Sequence, residues 1–146
     1  MSPIEKHQAG ARDKVIYTAK TRTSGGRESG MARSCDGRLD IKLSFPGSAR
    51  IGTNPEQLLG AGWSACFESS IANAARKRKL IVPEITIDAE IDLRQADGEY
   101  FISARFNVNL PGLDRDTAKY LITEAEKNCT YCKLARGNID VVFNLA

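Results

Sequence analysis

The chain has 146 residues, of which 42% are apolar and 27% charged, with a formal net charge of +3 at pH 7. This composition predicts a soluble domain, and the mild charge argues for neither nucleic acid nor a membrane surface. No apolar run reaches the roughly 20 residues of a spanning helix. Residues 1–14 are polar and lack the apolar core of a signal peptide, so we expect a flexible lead-in, one domain over 15–146 and a cytoplasmic location.

The first third of the chain predicts three strands joined as a meander. Residues 15–23 are typical of a strand, and residues 24–26 (Ser-Gly-Gly) predict a turn. A weaker strand signal covers 28–35, and the Asp-Gly pair at 36–37 favours a tight hairpin turn. Residues 39–43 alternate apolar and polar side chains, which is the period of a half-buried strand.

Residues 54–79 predict one long central helix, with Thr53 or Asn54 as a possible cap and Pro55 in its first turn. Gly60 and Gly62 disfavour helix, so we expect either a break there or a close approach of another segment. The helix is apolar on nearly every side, which is typical of burial in a large core or an oligomer interface. Because the chain is short, we expect a homodimer that buries two such helices together.

The remaining elements complete an α+β pattern. The cations at 76–79 suit the C-terminal end of the helix, and this interpretation is favoured over a nucleic-acid patch. Strands are predicted at 85–93 and 100–110, and a second helix at 115–127. With a last strand at 139–145, the predicted order is βββ-α-ββ-α-β.

Four cysteines need an explanation other than structural disulfides if the protein is cytosolic. Cys35 lies beside the predicted hairpin turn and is interpreted as incidental. Cys129 and Cys132 have the Cys-x-x-Cys spacing of a redox pair or of half a zinc site. The single histidine, His7, lies in the lead-in. Zinc is therefore disfavoured, and something other than histidine must activate a nucleophilic thiol such as Cys66.

Cys66 lies inside the apolar helix, where a thiol is usually a small, inert hydrophobic group. A reactive buried thiol requires a fixed cation or a helix N-terminus. A break at the glycines would supply such an N-terminus, and an arginine held by Glu56 would supply the cation. In an unbroken helix, Glu56 and Cys66 would lie about 15 Å apart along the axis and could not touch.

Six short motifs stand in order along roughly residues 15–145 and together carry a family resemblance. They are Gly25-Gly26-Arg27, Asp36-Gly37-x-Leu39-Asp40, Thr53-Asn54-Pro55-Glu56-Gln57-Leu58, Ala65-Cys66-Phe67, Cys129-x-Tyr131 and Ala135-Arg136-Gly137-Asn138-Ile139. The sequence resembles the Ohr/OsmC family of thiol peroxidases, and within it the organic hydroperoxide resistance branch. The resemblance implies an OsmC/Ohr-like fold in an intertwined homodimer with active sites at the interface.

The resemblance also implies the roles of individual residues. Cys66 matches the peroxidatic cysteine and Cys129 the resolving cysteine. Arg27 matches the arginine that holds the thiolate and the peroxide, and Glu56 the acid that positions it. The implied reaction reduces an organic hydroperoxide to an alcohol through a Cys66 sulfenic acid and a disulfide with Cys129. No bound cofactor or metal is implied, and an external dithiol, of the kind carried by lipoylated proteins, restores the thiols.

Three positions depart from the family pattern. Thr130 stands where proline is usual, Cys132 where serine is usual and Trp63 where tyrosine is frequent. Cys132 leaves open which thiol resolves, because it could compete for Cys66 or exchange with Cys129. The alternative functions are an OsmC-type peroxidase with another peroxide preference, a non-catalytic thiol redox sensor on the same fold and, more distantly, a zinc-stabilised module.

Overall fold

The structure is a computed structural model that describes residues 13–146. His7 and the first twelve residues of the predicted lead-in lie outside the described residues. The chain divides into two compact units, Met1–Gly52 and Thr53–Ala146, and the first is described from residue 13. Within the described part, none of the helices combines the length and apolarity that a membrane span requires. The single domain predicted over 15–146 stays a prediction.

The first unit contains an antiparallel sheet of three strands and one short helix. Its elements are β1 (Thr21–Ser24), α1 (Gly26–Ser29), β2 (Met31–Ser34) and β3 (Asp40–Lys42). The strand order β1-β2-β3 confirms the predicted meander. The predicted hairpin turn is also present, since Gly37 has a φ of 75° and the Asp36 carboxylate accepts a hydrogen bond from Ser34 Oγ at 2.6 Å.

The strand predicted over residues 15–23 is too long. Residues 13–20 have no regular structure, and β1 begins only at Thr21. Thr21 pairs with Ser34, which is the last residue of β2, so no part of β2 remains for residues 15–20 to pair with. Strand propensity alone does not form a strand, because the ladder requires a partner.

The second unit contains the long helix, a second sheet and two further helices. Its elements are α2 (Pro55–Lys77), β4 (Thr86–Ala96), β5 (Glu99–Asn109), α3 (Arg115–Asn128), α4 (Thr130–Ala135) and β6 (Asp140–Leu145). β4 and β5 form an antiparallel hairpin, whereas β6 is parallel to β5. A parallel pair needs a crossover connection, and α3 and α4 provide it. The α+β class is confirmed, and α1 and α4 are additions to the predicted order.

Helix α2 begins as predicted. The Asn54 side chain accepts a hydrogen bond from the Gln57 amide at 2.8 Å, and Pro55 occupies the first turn. One face of the helix is fully buried, and it comprises Gly60, Trp63, Phe67, Ile71, Ala74 and Ala75. Ala61 and Ala65 on the other side are exposed in the single chain. The intertwined homodimer with two buried central helices stays a prediction.

Of the two alternatives for the glycines of α2, a break is excluded, because the helix continues through both of them. Of the two glycines, Gly62 instead makes room for a side chain from another element. A Cβ on Gly60 would lie 3.4 Å from Ile91 Cγ1 on β4, and a Cβ on Gly62 would lie 2.9 Å from the Tyr131 hydroxyl on α4. The second separation is shorter than a normal van der Waals contact, so Gly62 permits Tyr131 to rest against α2.

Aromatic rings form the centre of the second unit. Trp63 packs on Phe106 with ring centroids 4.7 Å apart, and Phe67 packs on Phe143 at the same distance. Phe106 and Phe143 stack on each other at 5.4 Å. These contacts join α2 to β5 and β6 through large apolar areas, which dominate core energetics. The middle of α2 is thereby packed against the sheet.

Candidate functional site

Three cysteines meet in the second unit. Cys66 lies in the middle of α2, Cys129 is the residue before α4, and Cys132 lies within α4. Cys129 Sγ is 3.4 Å from Cys66 Sγ, and Trp63 Nε1 donates a hydrogen bond to Cys132 Sγ at 3.4 Å. Because a disulfide bond is about 2.05 Å long, Cys66 and Cys129 need only a small movement to be joined.

The surroundings of Cys66 favour its thiolate. Its partial burial raises the pKa, but hydrogen bonds outweigh this effect and hold the pKa below the ordinary value. The Thr130 hydroxyl lies 3.2 Å from Cys66 Sγ, and the backbone amides of Tyr131 and Thr130 and the thiol of Cys129 also donate. These donors lie in the first turn of α4, whereas the sequence pointed to an arginine or to a helix N-terminus at a break in α2.

The surroundings of Cys129 and Cys132 instead favour the protonated thiol. Cys129 is fully buried and Cys132 nearly so. Burial raises the pKa of Cys129 to about 12, and it also raises the pKa of Cys132 despite the hydrogen bond from Trp63. Since the thiolate is the nucleophilic form, Cys66 is the thiol of this cluster best suited to attack an electrophile.

The other predicted site residues lie elsewhere in the chain. Glu56 is in the first turn of α2, ten residues before Cys66, which corresponds to about 15 Å along an unbroken helix. The structure therefore does not bring Glu56 and Cys66 together. Arg27 lies in α1 of the first unit, directly after Gly25 and Gly26, which have φ values of 80° and 74°. The roles predicted for Arg27 and Glu56 stay predictions.

Sequence reasoning missed two contributors to the site, Thr130 and the Tyr131 amide. In the sequence Thr130 stands out only as a departure from the family pattern, although a hydroxyl beside a cysteine is a possible donor to sulfur. Cys35 is exposed in the first unit, beside the hairpin turn. Within residues 13–146, no group of three or more His, Cys, Asp or Glu side chains is arranged to hold a metal ion.

Residues 46–144 match the sequence model of the OsmC-like protein family, and the chain belongs to this family. It is 41% identical over 139 residues to the organic hydroperoxide resistance protein of Xanthomonas axonopodis pv. citri, an alignment that covers 92% of this chain and 97% of the relative. It is 36% identical over 136 residues to OhrB of Bacillus subtilis, covering 90% and 98%. These relatives place the chain in the organic hydroperoxide resistance branch.

Solved structures agree with this placement. The crystal structure of OhrB from Bacillus subtilis superposes with a TM-score of 0.85 at 36% identity, covering 90% of this chain and 100% of that one. An organic hydroperoxide resistance protein from Elizabethkingia anophelis superposes with a TM-score of 0.84 at 31% identity, covering 92% and 99%. The predicted OsmC/Ohr-like fold is thereby confirmed.

Proposed function

We propose that the protein is a thiol-dependent peroxidase that reduces organic hydroperoxides to alcohols. The relatives named for organic hydroperoxide resistance support the substrate class. One observation carries the chemistry: a thiol favoured to ionise, Cys66, lies 3.4 Å from a buried thiol favoured to stay protonated, Cys129. A nucleophile and a reserve thiol at this distance are the two groups that a cycle through a sulfenic acid requires.

The reaction proceeds in three steps. The Cys66 thiolate attacks the terminal oxygen of the hydroperoxide, the O–O bond breaks, and the alkoxide takes a proton and leaves as an alcohol. The Cys129 sulfur then attacks the sulfenic sulfur of Cys66, and its proton leaves with the hydroxyl group as water. An external dithiol reduces the resulting disulfide in two exchange steps. Two electrons therefore pass from the dithiol to the hydroperoxide in each cycle.

The remaining assignments of this proposal follow the family resemblance. Arg27 holds the thiolate and the peroxide, and Glu56 positions Arg27 in a homodimer whose active sites lie at the interface. The reductant is a lipoylated protein or another dithiol, and no cofactor is bound. The proposed location is the cytoplasm.

Stopped-flow mixing of the reduced protein with an alkyl hydroperoxide tests the proposal. We expect rapid consumption of hydroperoxide by the wild type and a loss of at least a hundredfold in rate in Cys66→Ser, which removes the thiolate. Cys35→Ser is the matched control and should react as the wild type does. Slow and equal consumption by all three proteins would show that Cys66 is not peroxidatic.

The same experiment separates the alternative functions. Continued consumption after addition of dithiothreitol indicates an enzyme, whereas a single oxidation without turnover by any dithiol indicates a redox sensor. A rate with hydrogen peroxide equal to that with the alkyl hydroperoxide would favour the OsmC-type preference.

A further inference from the structure

Cys132, the third cysteine of the cluster, lies beside the two thiols that form a disulfide in the proposed cycle. Cys129 lies between the other two thiols: its sulfur is 3.4 Å from Cys66 Sγ, and its side chain is also hydrogen-bonded with Cys132. Cys132 Sγ in turn accepts the indole N–H of Trp63. Cys129 is therefore in hydrogen-bond contact with both of the other thiols.

Cys132 also borders a space that the other two thiols do not. A cavity of about 170 Å³ is lined by Cys132 together with Trp63, Arg136 and Phe143 among others, whereas Cys66 and Cys129 are not in its lining. A bound water occupies roughly 30 Å³, so the cavity has room for the end of a thiol-bearing chain. Although Cys132 is nearly buried, it therefore lines a cavity that the other two cysteines do not line.

We propose that Cys132 is a third redox residue, which takes over the disulfide from Cys66 and presents it to the reductant at this cavity. The proposal rests on the function proposed above, because the Cys66–Cys129 disulfide is its starting point. In the exchange, the Cys132 sulfur attacks Cys129 Sγ, the Cys129–Cys132 bond forms and the Cys66–Cys129 bond breaks. Cys66 leaves as a thiolate and the proton of Cys132 passes to solvent, so the protein is neither oxidised nor reduced.

The pKa shifts of Cys66 and Cys132 support the transfer of the disulfide in this direction. A thiol with a lower pKa is the better leaving group in thiol–disulfide exchange. Hydrogen bonds lower the pKa of Cys66, whereas burial raises the pKa of Cys132. The disulfide therefore moves from the thiol that is stable as an anion to one that is not. The exchange restores the Cys66 thiolate before any reductant has acted, and Cys66 can attack a second hydroperoxide.

Mass spectrometry can follow the position of the disulfide, because trypsin separates the cysteines suitably. Cys66 falls in the peptide 51–76, whereas Cys129 and Cys132 share the peptide 128–133. The reduced wild type is mixed with one equivalent of tert-butyl hydroperoxide, quenched with acid at set times, alkylated and digested. We expect the two peptides to be linked at early times. Later, 128–133 should appear alone and lighter by two hydrogens, with Cys66 alkylated.

Two variants serve as controls for this experiment. In Cys132→Ser the linked peptides should accumulate and persist, and in Cys66→Ser no disulfide should form within 128–133. With excess hydroperoxide and no reductant, the wild type should consume about two equivalents per chain and Cys132→Ser about one. The fluorescence of Trp63, the only tryptophan, should show a second phase in the wild type that Cys132→Ser lacks.

The outcomes separate the relay from the peroxidase itself. Linked peptides that persist in the wild type would overturn the relay and leave the peroxidase in place. A link between Cys66 and Cys132 would overturn the relay and make Cys132 the resolving thiol. If the wild type consumes no hydroperoxide faster than Cys66→Ser does, both proposals fall together.

Discussion

At the residue scale, the three cysteines of the cluster have the same side chain but differ in pKa, because hydrogen bonds surround one thiol and burial dominates at the other two. Cys66 receives hydrogen bonds from the Thr130 hydroxyl and from backbone amides of α4. Cys129 and Cys132 lie in the core, where the charged form of a thiol is poorly solvated. The cluster therefore combines one thiol whose surroundings favour ionisation with two thiols whose burial favours the protonated form.

Thr130→Val tests the contribution of the hydroxyl to this difference. Valine keeps the shape of threonine but cannot donate, so the pKa of Cys66 should rise. A hydrogen bond to a charged group contributes roughly 1.5 kcal/mol or more, so the thiolate fraction below that pKa should fall by about tenfold. The absorbance of the thiolate near 240 nm and the rate of hydroperoxide consumption should show this loss at low pH.

The pH dependence distinguishes a change in ionisation from general damage to the site. Both proteins are fully ionised at Cys66 once the pH lies well above its pKa, so their rates should converge there. Thr130→Ser, which keeps the hydroxyl, is the matched control and should titrate like the wild type. An unchanged thiolate titration in Thr130→Val would refute the role of the hydroxyl.

At the scale of the element, the two glycines of α2 differ in how closely other side chains approach them. Neither Gly60 nor Gly62 breaks it, although glycine costs about 1 kcal/mol relative to alanine in a helix interior. The cost at Gly62 is offset by the approach of Tyr131, which could not lie so close to a residue with a Cβ. Gly60 faces side chains at ordinary contact distances.

Alanine substitutions at the two positions should therefore differ. Gly60→Ala should stabilise the protein by up to about 1 kcal/mol, because helix propensity improves and the new Cβ still fits. Gly62→Ala should lose this gain, because its Cβ would lie 2.9 Å from the Tyr131 hydroxyl. Urea denaturation of each variant measures the difference in the free energy of unfolding.

A double-mutant cycle tests whether the Tyr131 hydroxyl causes the expected loss of stability gain in Gly62→Ala. Tyr131→Phe removes the oxygen that the new Cβ would meet, so Gly62→Ala should be more favourable in the Tyr131→Phe background than in the wild type. Equal effects of Gly62→Ala in both backgrounds would mean that Tyr131 is not the reason for this glycine.

The stability of the whole reduced protein should depend on its buried thiols at alkaline pH. An unfolded thiol has a pKa of about 8.5, whereas burial holds the pKa of Cys129 near 12 and raises that of Cys132. Above about pH 8.5 the unfolded chain loses these protons while the folded chain keeps them, so the free energy of unfolding falls as pH rises. Cys66 has the opposite sign: its lowered pKa stabilises the folded chain fully only above the unfolded pKa, and this contribution is lost as the pH falls through the folded pKa.

Urea denaturation between pH 8 and 10 under reducing conditions measures this decline. Cys129→Ala should make the decline with pH shallower, because the buried thiol with a pKa near 12 no longer contributes to it. Cys35→Ala, which changes an exposed thiol, is the control and should leave the slope unchanged. A slope in Cys129→Ala equal to that of the wild type would contradict the assignment.

Local patterns in the sequence predicted most of the fold of the second unit. Helices α2 and α3 extend over several helical turns, and strands β4, β5 and β6 each extend over at least three two-residue strand periods, so the period of each is visible in the sequence. The helices α1 and α4 have four and six residues, which is too short for such a period. The true length of β1 depends on where β2 ends, and no property of residues 15–20 reveals this.

The sequence by itself determined the family: the six motifs, with Cys66 and Cys129 among them, were sufficient to predict it, and the comparisons confirm it. Only the tertiary structure decided how the thiols differ. The hydroxyl donor to Cys66 lies 64 residues away along the chain, and the indole donor to Cys132 lies 69 residues away. The pKa of a thiol depends on neighbours in space, and packing of α4 against α2 brings these neighbours together.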